Sequence, residues 1–182
     1  MSKQSTIRFA CFPRTQPPPV FISEVIKVFK SHEGDIATHD NLNSLNSDGV
    51  LHQLRSDLVT LGFEVEAGKK RNQKIERPVF FGEDGVAEVR YEVDAYHVKW
   101  KCGLEVEAGR GWLGNAFYRD LILASLMVDV DHLIVAVANQ YWSKAGGKDF
   151  ISKDYDYAKK LADTIYSHRR LAFPYGLTVV GY

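Results

Sequence analysis

The chain has 182 residues, 45% of them hydrophobic and 25% charged, as suits one globular domain with a sizeable core. Its 23 basic and 23 acidic residues cancel, which argues against broad, salt-driven nucleic-acid binding by the whole surface but leaves room for a local basic patch. Cys11 and Cys102 form no Cys-x-x-Cys pair and no apolar run is long enough for a signal peptide or a bilayer span, so we expect a reducing compartment such as the cytoplasm.

Pro13, Pro17, Pro18 and Pro19 exclude regular helix and central strand and predict an extended arm over about 12–19. Ile22, Val25, Ile26 and Phe29 follow at helical spacing, with Gly34 as a stop. A polar, Asn-rich loop runs from Thr38 to Ser47. Asp48 is the expected N-cap of a second helix carrying Leu51, Leu54, Leu58 and Leu61 and closed by Gly62. Phe63 to Ala67 alternates as a short strand. The basic, apolar-poor stretch Lys69–Arg77 reads as a loop. Pro78 to Phe81 and Val86 to Tyr96 read as strands joined by a turn at Gly82–Gly85. Gly103 to Ala108 is another strand and Gly109-Arg110-Gly111 a tight connection. A third helix is predicted over about Trp112 to Val128, with Leu113, Ala116, Phe117, Leu121 and Ala124 on one face. The run from His132 to Ala138 is apolar and β-branched, like a strand buried on both faces. Gly146-Gly147 lies in a loop, a fourth helix spans Ser152 or Lys153 to His168, and Leu177 to Val180 is a last strand. A meander followed by a crossover helix into a buried strand predicts a single α/β domain: a mixed sheet flanked by helices.

Three carboxylates stand out. In Tyr91-Glu92-Val93-Asp94-Ala95, Val93 and Ala95 oppose Glu92 and Asp94. In Gly103-Leu104-Glu105-Val106-Glu107-Ala108, the apolar side chains oppose Glu105 and Glu107. A hairpin turning at Lys99-Trp100 sets Asp94 directly across from Glu105 on one face. Acids that close repel one another unless a cation neutralises them or one stays protonated, and a hard divalent cation suits oxygen ligands. The bland alternative is a solvated edge hairpin.

An acid on one strand, Glu-x-Lys or a variant on the next, then a helix and a hydrophobic strand resembles the PD-(D/E)xK nuclease superfamily, which includes type II restriction endonucleases. The resemblance covers roughly Asp48 to Ala138. Asp94 resembles the first acid and Glu105 the second. Glu107 stands where lysine is usual, as in Glu-x-Glu variants, and Val93 precedes Asp94 where proline is common. The resemblance implies a restriction endonuclease-like mixed-sheet core and a Mg²⁺- or Mn²⁺-dependent DNA endonuclease of restriction, repair or phage-defence type. It implies a cation held by Asp94, Glu105 and the carbonyl of Val106, with Glu107 holding or deprotonating the attacking water or helping bind a second metal. A further acid from the preceding helix is expected at Asp48 or Asp57.

Lys69, Lys70, Arg71 and Lys74 either reach DNA phosphates or form a solvated loop. Asn115 and Arg119, four apart on one helix face, reach a phosphate or base edge, or pair with Asp120 or a neighbouring element. His97 reads as a packing histidine, and Asp129-Val130-Asp131-His132 as turn residues rather than a metal cluster. Cys102 lacks a base partner, and Gly109-Arg110-Gly111 is too short for a phosphate loop. Tyr141 and Trp142 either stack on bases or pack within a loop. Two further readings stay open: a catalytically degenerate nuclease fold that binds nucleic acid or a protein partner, and an assembly subunit. A homodimer is compatible with the apolar third and fourth helices.

Overall fold

The computed structural model describes residues 5–39, 45–109, 115–145 and 148–182, without the side chains of 144, 145 and 148. In chain order these form β1 (Arg8–Phe12), α1 (Ile22–Ser31), the single turn α2 (Glu33–Ile36), α3 (Ser47–Leu61), β2 (Glu64–Val65), β3 (Ile75–Phe81), β4 (Ala87–Val93), β5 (Ala95–His97), β6 (Cys102–Glu107), α4 (Ala116–Leu126), β7 (His132–Val137), β8 (Tyr141–Ala145), β9 (Lys148–Ser152), α5 (Asp154–Ser167) and β10 (Gly176–Gly181).

Among the described residues a mixed sheet runs β1-β10-β7-β6-β5-β2, with two separate hairpins, β3-β4 and β8-β9. β7 lies between β6 and β10, parallel to both, and every one of its residues is buried. Its unbroken apolar run has no polar face to offer water, so it sits at the centre. His132 enters this interior as a neutral ring: burial lowers it to about 4, and Nε2 lies 2.9 Å from the Thr178 hydroxyl.

The sheet carries a core on each face. On one, α1 and α3 bring Ile26, Phe29, Leu54 and Leu58 against Leu104, Val106, Ile134 and Val180. On the other, α4 and α5 bring Phe117, Leu121, Ala158 and Ala162 against Leu133, Val135, Leu177 and Val179. This is the mixed sheet flanked by helices that the pattern predicts.

Several boundaries differ from expectation. α3 is capped by Asn46 rather than Asp48: the Asn46 side chain accepts the Gly49 N–H at 2.8 Å. Gly62 closes α3 in the left-handed region (φ +105°), as predicted. Residues 8–12 carried no strand expectation, yet they form the edge strand β1, antiparallel to β10. The β8-β9 hairpin was likewise unexpected. The expected basic loop contains a short 3-10 turn at Arg71–Gln73 and the start of β3. The strand expected over Val86 to Tyr96 breaks at Asp94, where the chain passes from the β3-β4 hairpin into the main sheet. Arg110, Gly111, Trp112, Leu113, Gly146 and Gly147 lie outside the described residues.

Candidate functional site

The break at Asp94 creates the site. β5 pairs with β6 in the register Ala95↔Leu104, which sets Asp94 across from Glu105. The Asp94 carbonyl accepts the Glu66 N–H at 2.8 Å, and its Oδ2 accepts the Val106 N–H at 2.8 Å, so both ends of the residue are held. Leu104 and Val106 fill the α1/α3 core, and alternation therefore turns Glu105 and Glu107 toward α4.

α4 meets them with an acid. Phe117, Leu121 and Ala124 form its buried stripe, and Asp120 stands within it at only 2% exposure. Asp120 is the functional candidate that sequence reasoning missed, since it was taken only as a partner for Arg119. The available signal was its spacing, three after Phe117 and four before Ala124. Arg119 reaches across the pair: Nη2 lies 2.9 Å from Glu107 Oε1 and 2.9 Å from Asp120 Oδ1. Glu66, at the end of β2, is a second carboxylate that was not anticipated.

Glu66, Lys74, Asp94, Glu105, Arg119 and Asp120 line a cleft of about 440 Å³. Lys74 is held at its rim by Glu66 at 2.7 Å and Glu92 at 3.4 Å. The enclosed acids resist ionisation. Burial, with Glu66 and Asp120 nearby, raises Asp94 to about 6 against the opposing Val106 N–H. Burial and then Asp120 raise Glu107 to about 8 against Arg119. Glu105 is raised well above its ordinary value by burial and then by Asp94, Asp120 and Glu107. Burial also raises Asp120, opposed by Arg119. Full ionisation would give the site more negative charge than its own arginine and lysine offset, and protonation relieves part of that charge in the cation-free protein.

The oxygens do not close into a ligand sphere: among the described residues no three acidic, histidine or cysteine side chains gather tightly enough. Asp94 and Glu107 are turned toward protein donors, and Asp120 bonds to Arg119 and Glu107. The donor set itself, carboxylate oxygens beside a strand carbonyl, is that of a hard divalent cation.

The other predicted residues divide. Lys74 and Arg119 line the cleft. Lys69, Lys70 and Arg71 stand on an exposed loop outside its lining, Lys69 3.7 Å from Asp48 and Arg71 3.7 Å from Glu76. Asn115 starts α4 in the left-handed region (φ +58°), also outside the lining. The expected fourth acids are engaged elsewhere, Asp48 with Lys69 and Asp57 with His32 at 3.1 Å. His97 packs, stacked on Trp100 at 3.7 Å between ring centroids. Asp129, Asp131 and His132 diverge to Arg77, Lys101 and Thr178. Cys102 is buried and its thiol is raised by that burial. Trp142 is exposed, whereas the Tyr141 ring packs against Gly109.

No protein-family profile matches the chain, and no curated protein matches it in sequence. In three dimensions it is similar to the restriction endonuclease BglII complexed with a DNA 16-mer, at 12% identity and TM-score 0.54, over 96% of this chain and 75% of that one. Free BglII covers 96% of this chain and 78% of its own at 12% identity, with TM-score 0.48. The fold is restriction endonuclease-like; identity this low carries the fold alone.

Proposed function

We propose that the protein is a metal-dependent DNA endonuclease that hydrolyses phosphodiester bonds. The observation that carries this reading is the convergence of Asp94, Glu105 and Asp120 on one cleft, with Glu107 beside Asp120, all four resisting ionisation in the cation-free protein. Asp94, Glu105 and the carbonyl of Val106 would hold Mg²⁺ or Mn²⁺, which when bound supplies Lewis acidity at a phosphate oxygen and a more acidic water. Glu107 would hold or deprotonate the attacking water, which requires the bound cation to draw down its carboxyl from the value of about 8 it has in the cation-free cleft. Lys74, at the rim, would lie along the strand backbone. The choice of DNA is supported by the fold shared with an enzyme crystallised in complex with a DNA 16-mer.

A second reading rests on a specific contact. Glu107 is closed by Arg119 rather than left open, as suits a degenerate fold that binds nucleic acid or a protein without cutting it. Calorimetric titration of Mg²⁺ and Mn²⁺ into wild type and Glu105→Ala, beside a plasmid-nicking assay, separates the two. Loss of both binding and nicking in the variant supports the nuclease. Wild type that binds cation or duplex but nicks no DNA overturns it in favour of the degenerate reading.

A further inference from the structure

We infer that Arg119 is an exchangeable counter-charge: it caps Glu107 and Asp120 while the cleft is cation-free, and turns to a phosphate oxygen of the substrate once a divalent cation enters. This inference rests on the nuclease reading of the same cleft. Its first support is geometric. One guanidinium touches two carboxylates, each at 2.9 Å, yet the Arg119 side chain is 60% exposed whereas Glu107 is 15% and Asp120 2%. The guanidinium therefore reaches in from solvent along a flexible stem and can withdraw without opening the core. Its backbone stays fixed in α4, where the Arg119 N–H donates to the Asn115 carbonyl at 3.1 Å.

Charge supplies the second support. A divalent cation beside Asp94 and Glu105 would repel a guanidinium parked on the adjoining acids and take over their neutralisation. The released planar fork then matches two oxygens of a phosphate, a geometry an ammonium does not offer. Lys74 offers no fork and is held by Glu66 at 2.7 Å and Glu92 at 3.4 Å with 19% of its side chain exposed, which suits a fixed backbone contact at the rim rather than this exchange. Asp120 and Glu107 also bond to each other, so the two acids keep a partner when Arg119 leaves. Arg119 and Asp120 are also adjacent in sequence, so helix geometry sends their side chains apart, and the guanidinium must fold back to meet the carboxylate.

The test measures cation binding and cleavage separately. Mn²⁺ is titrated by calorimetry into wild type, Arg119→Gln and Arg119→Lys. Cleavage of a short duplex is followed with kcat and KM resolved. Removing the competing charge in Arg119→Gln should tighten Mn²⁺ binding on the order of tenfold, while kcat falls about 100-fold or more. Arg119→Lys keeps the charge on the acids, so Mn²⁺ binding should stay near wild type while kcat still drops about tenfold for want of the fork. Because Arg119→Gln strips a buried acid of its cationic partner, Arg119→Gln/Asp120→Asn repeats the measurement without that unpaired charge, with Asp120→Asn alone as its reference. Unchanged or weaker Mn²⁺ binding in either folded glutamine variant, Arg119→Gln against wild type or the double variant against Asp120→Asn, overturns the inference, as does wild-type cleavage by Arg119→Gln. If wild type binds Mn²⁺ but cleaves no DNA, the nuclease reading fails, and the cation arm alone then upholds or overturns the counter-charge.

Discussion

Replacing Asp94 with Asn should stabilise the cation-free protein at alkaline pH. Burial, helped by Glu66 and Asp120, raises the Asp94 carboxyl from 3.8 to about 6. An acid whose folded-state value is raised favours its protonated form in the fold. Stability is therefore highest below the unfolded value and is lost as pH rises, with the loss complete above about 6. That rise corresponds to about 3 kcal/mol at pH 8.5 and about 1 kcal/mol at pH 4.5. The asparagine Oδ1 can still accept the Val106 N–H, and the charge assistance lost from that bond is already contained in the raised value. The net expectation is a gain of about 3 kcal/mol at pH 8.5 that shrinks to about 1 kcal/mol at pH 4.5. Urea unfolding followed by circular dichroism at both pH values, in chelator, reads this difference. An Asp94→Asn protein no more stable than wild type at pH 8.5, or equally stabilised at both pH values, would refute the claim that an enclosed, charged Asp94 strains the fold. Added Mg²⁺ should then stabilise wild type and not the variant.

Three further outcomes follow from the packing. Asn46→Ala removes the acceptor of the Gly49 N–H and should cost about 1 kcal/mol, read as a lowered Tm; an unchanged Tm would remove Asn46 as the helix cap. Gly109 has φ +95° and an added Cβ would lie 2.7 Å from the Tyr141 ring, so Gly109→Ala should cost about 1–3 kcal/mol. Adding Tyr141→Ala should recover only the steric share of that loss, and full recovery would mean that the backbone there is unstrained. Arg77 pairs with Asp129 and lies 3.7 Å over the Tyr96 ring, tying the β3-β4 hairpin to the core. Arg77→Met should cost about 3 kcal/mol and raise amide exchange in β3 and β4 ahead of global unfolding; hairpin amides as protected as in wild type would sink that tether.

Local periodicity was sufficient for some of this and not for the rest. Alternation over Gly103 to Ala108, with a turn at Lys99-Trp100, is enough to predict the facing of Glu105 and Glu107 and the Asp94–Glu105 register, because strand side chains alternate whatever surrounds them. The β-branched run of β7 and the leucines and closing glycine of α3 are legible for the same reason. The break at Asp94 is not, since it reflects which of two sheets each half-strand finds. Nor is Asp120, whose place in an apolar stripe acquires meaning only when β6 brings Glu107 beneath it. Glu66 arrives through β2-β5 pairing, and Arg77 meets Asp129 across 52 positions of chain. Thus the pattern of apolar and charged residues determined most elements (though not β1 or the β8-β9 hairpin), the helix-flanked sheet and the facing of Asp94, Glu105 and Glu107. Closure of the tertiary structure decided the other acids, the arginine that caps them and their resistance to ionisation, because a carboxylate's energy depends on burial and on neighbouring charges that become neighbours only once the chain has folded.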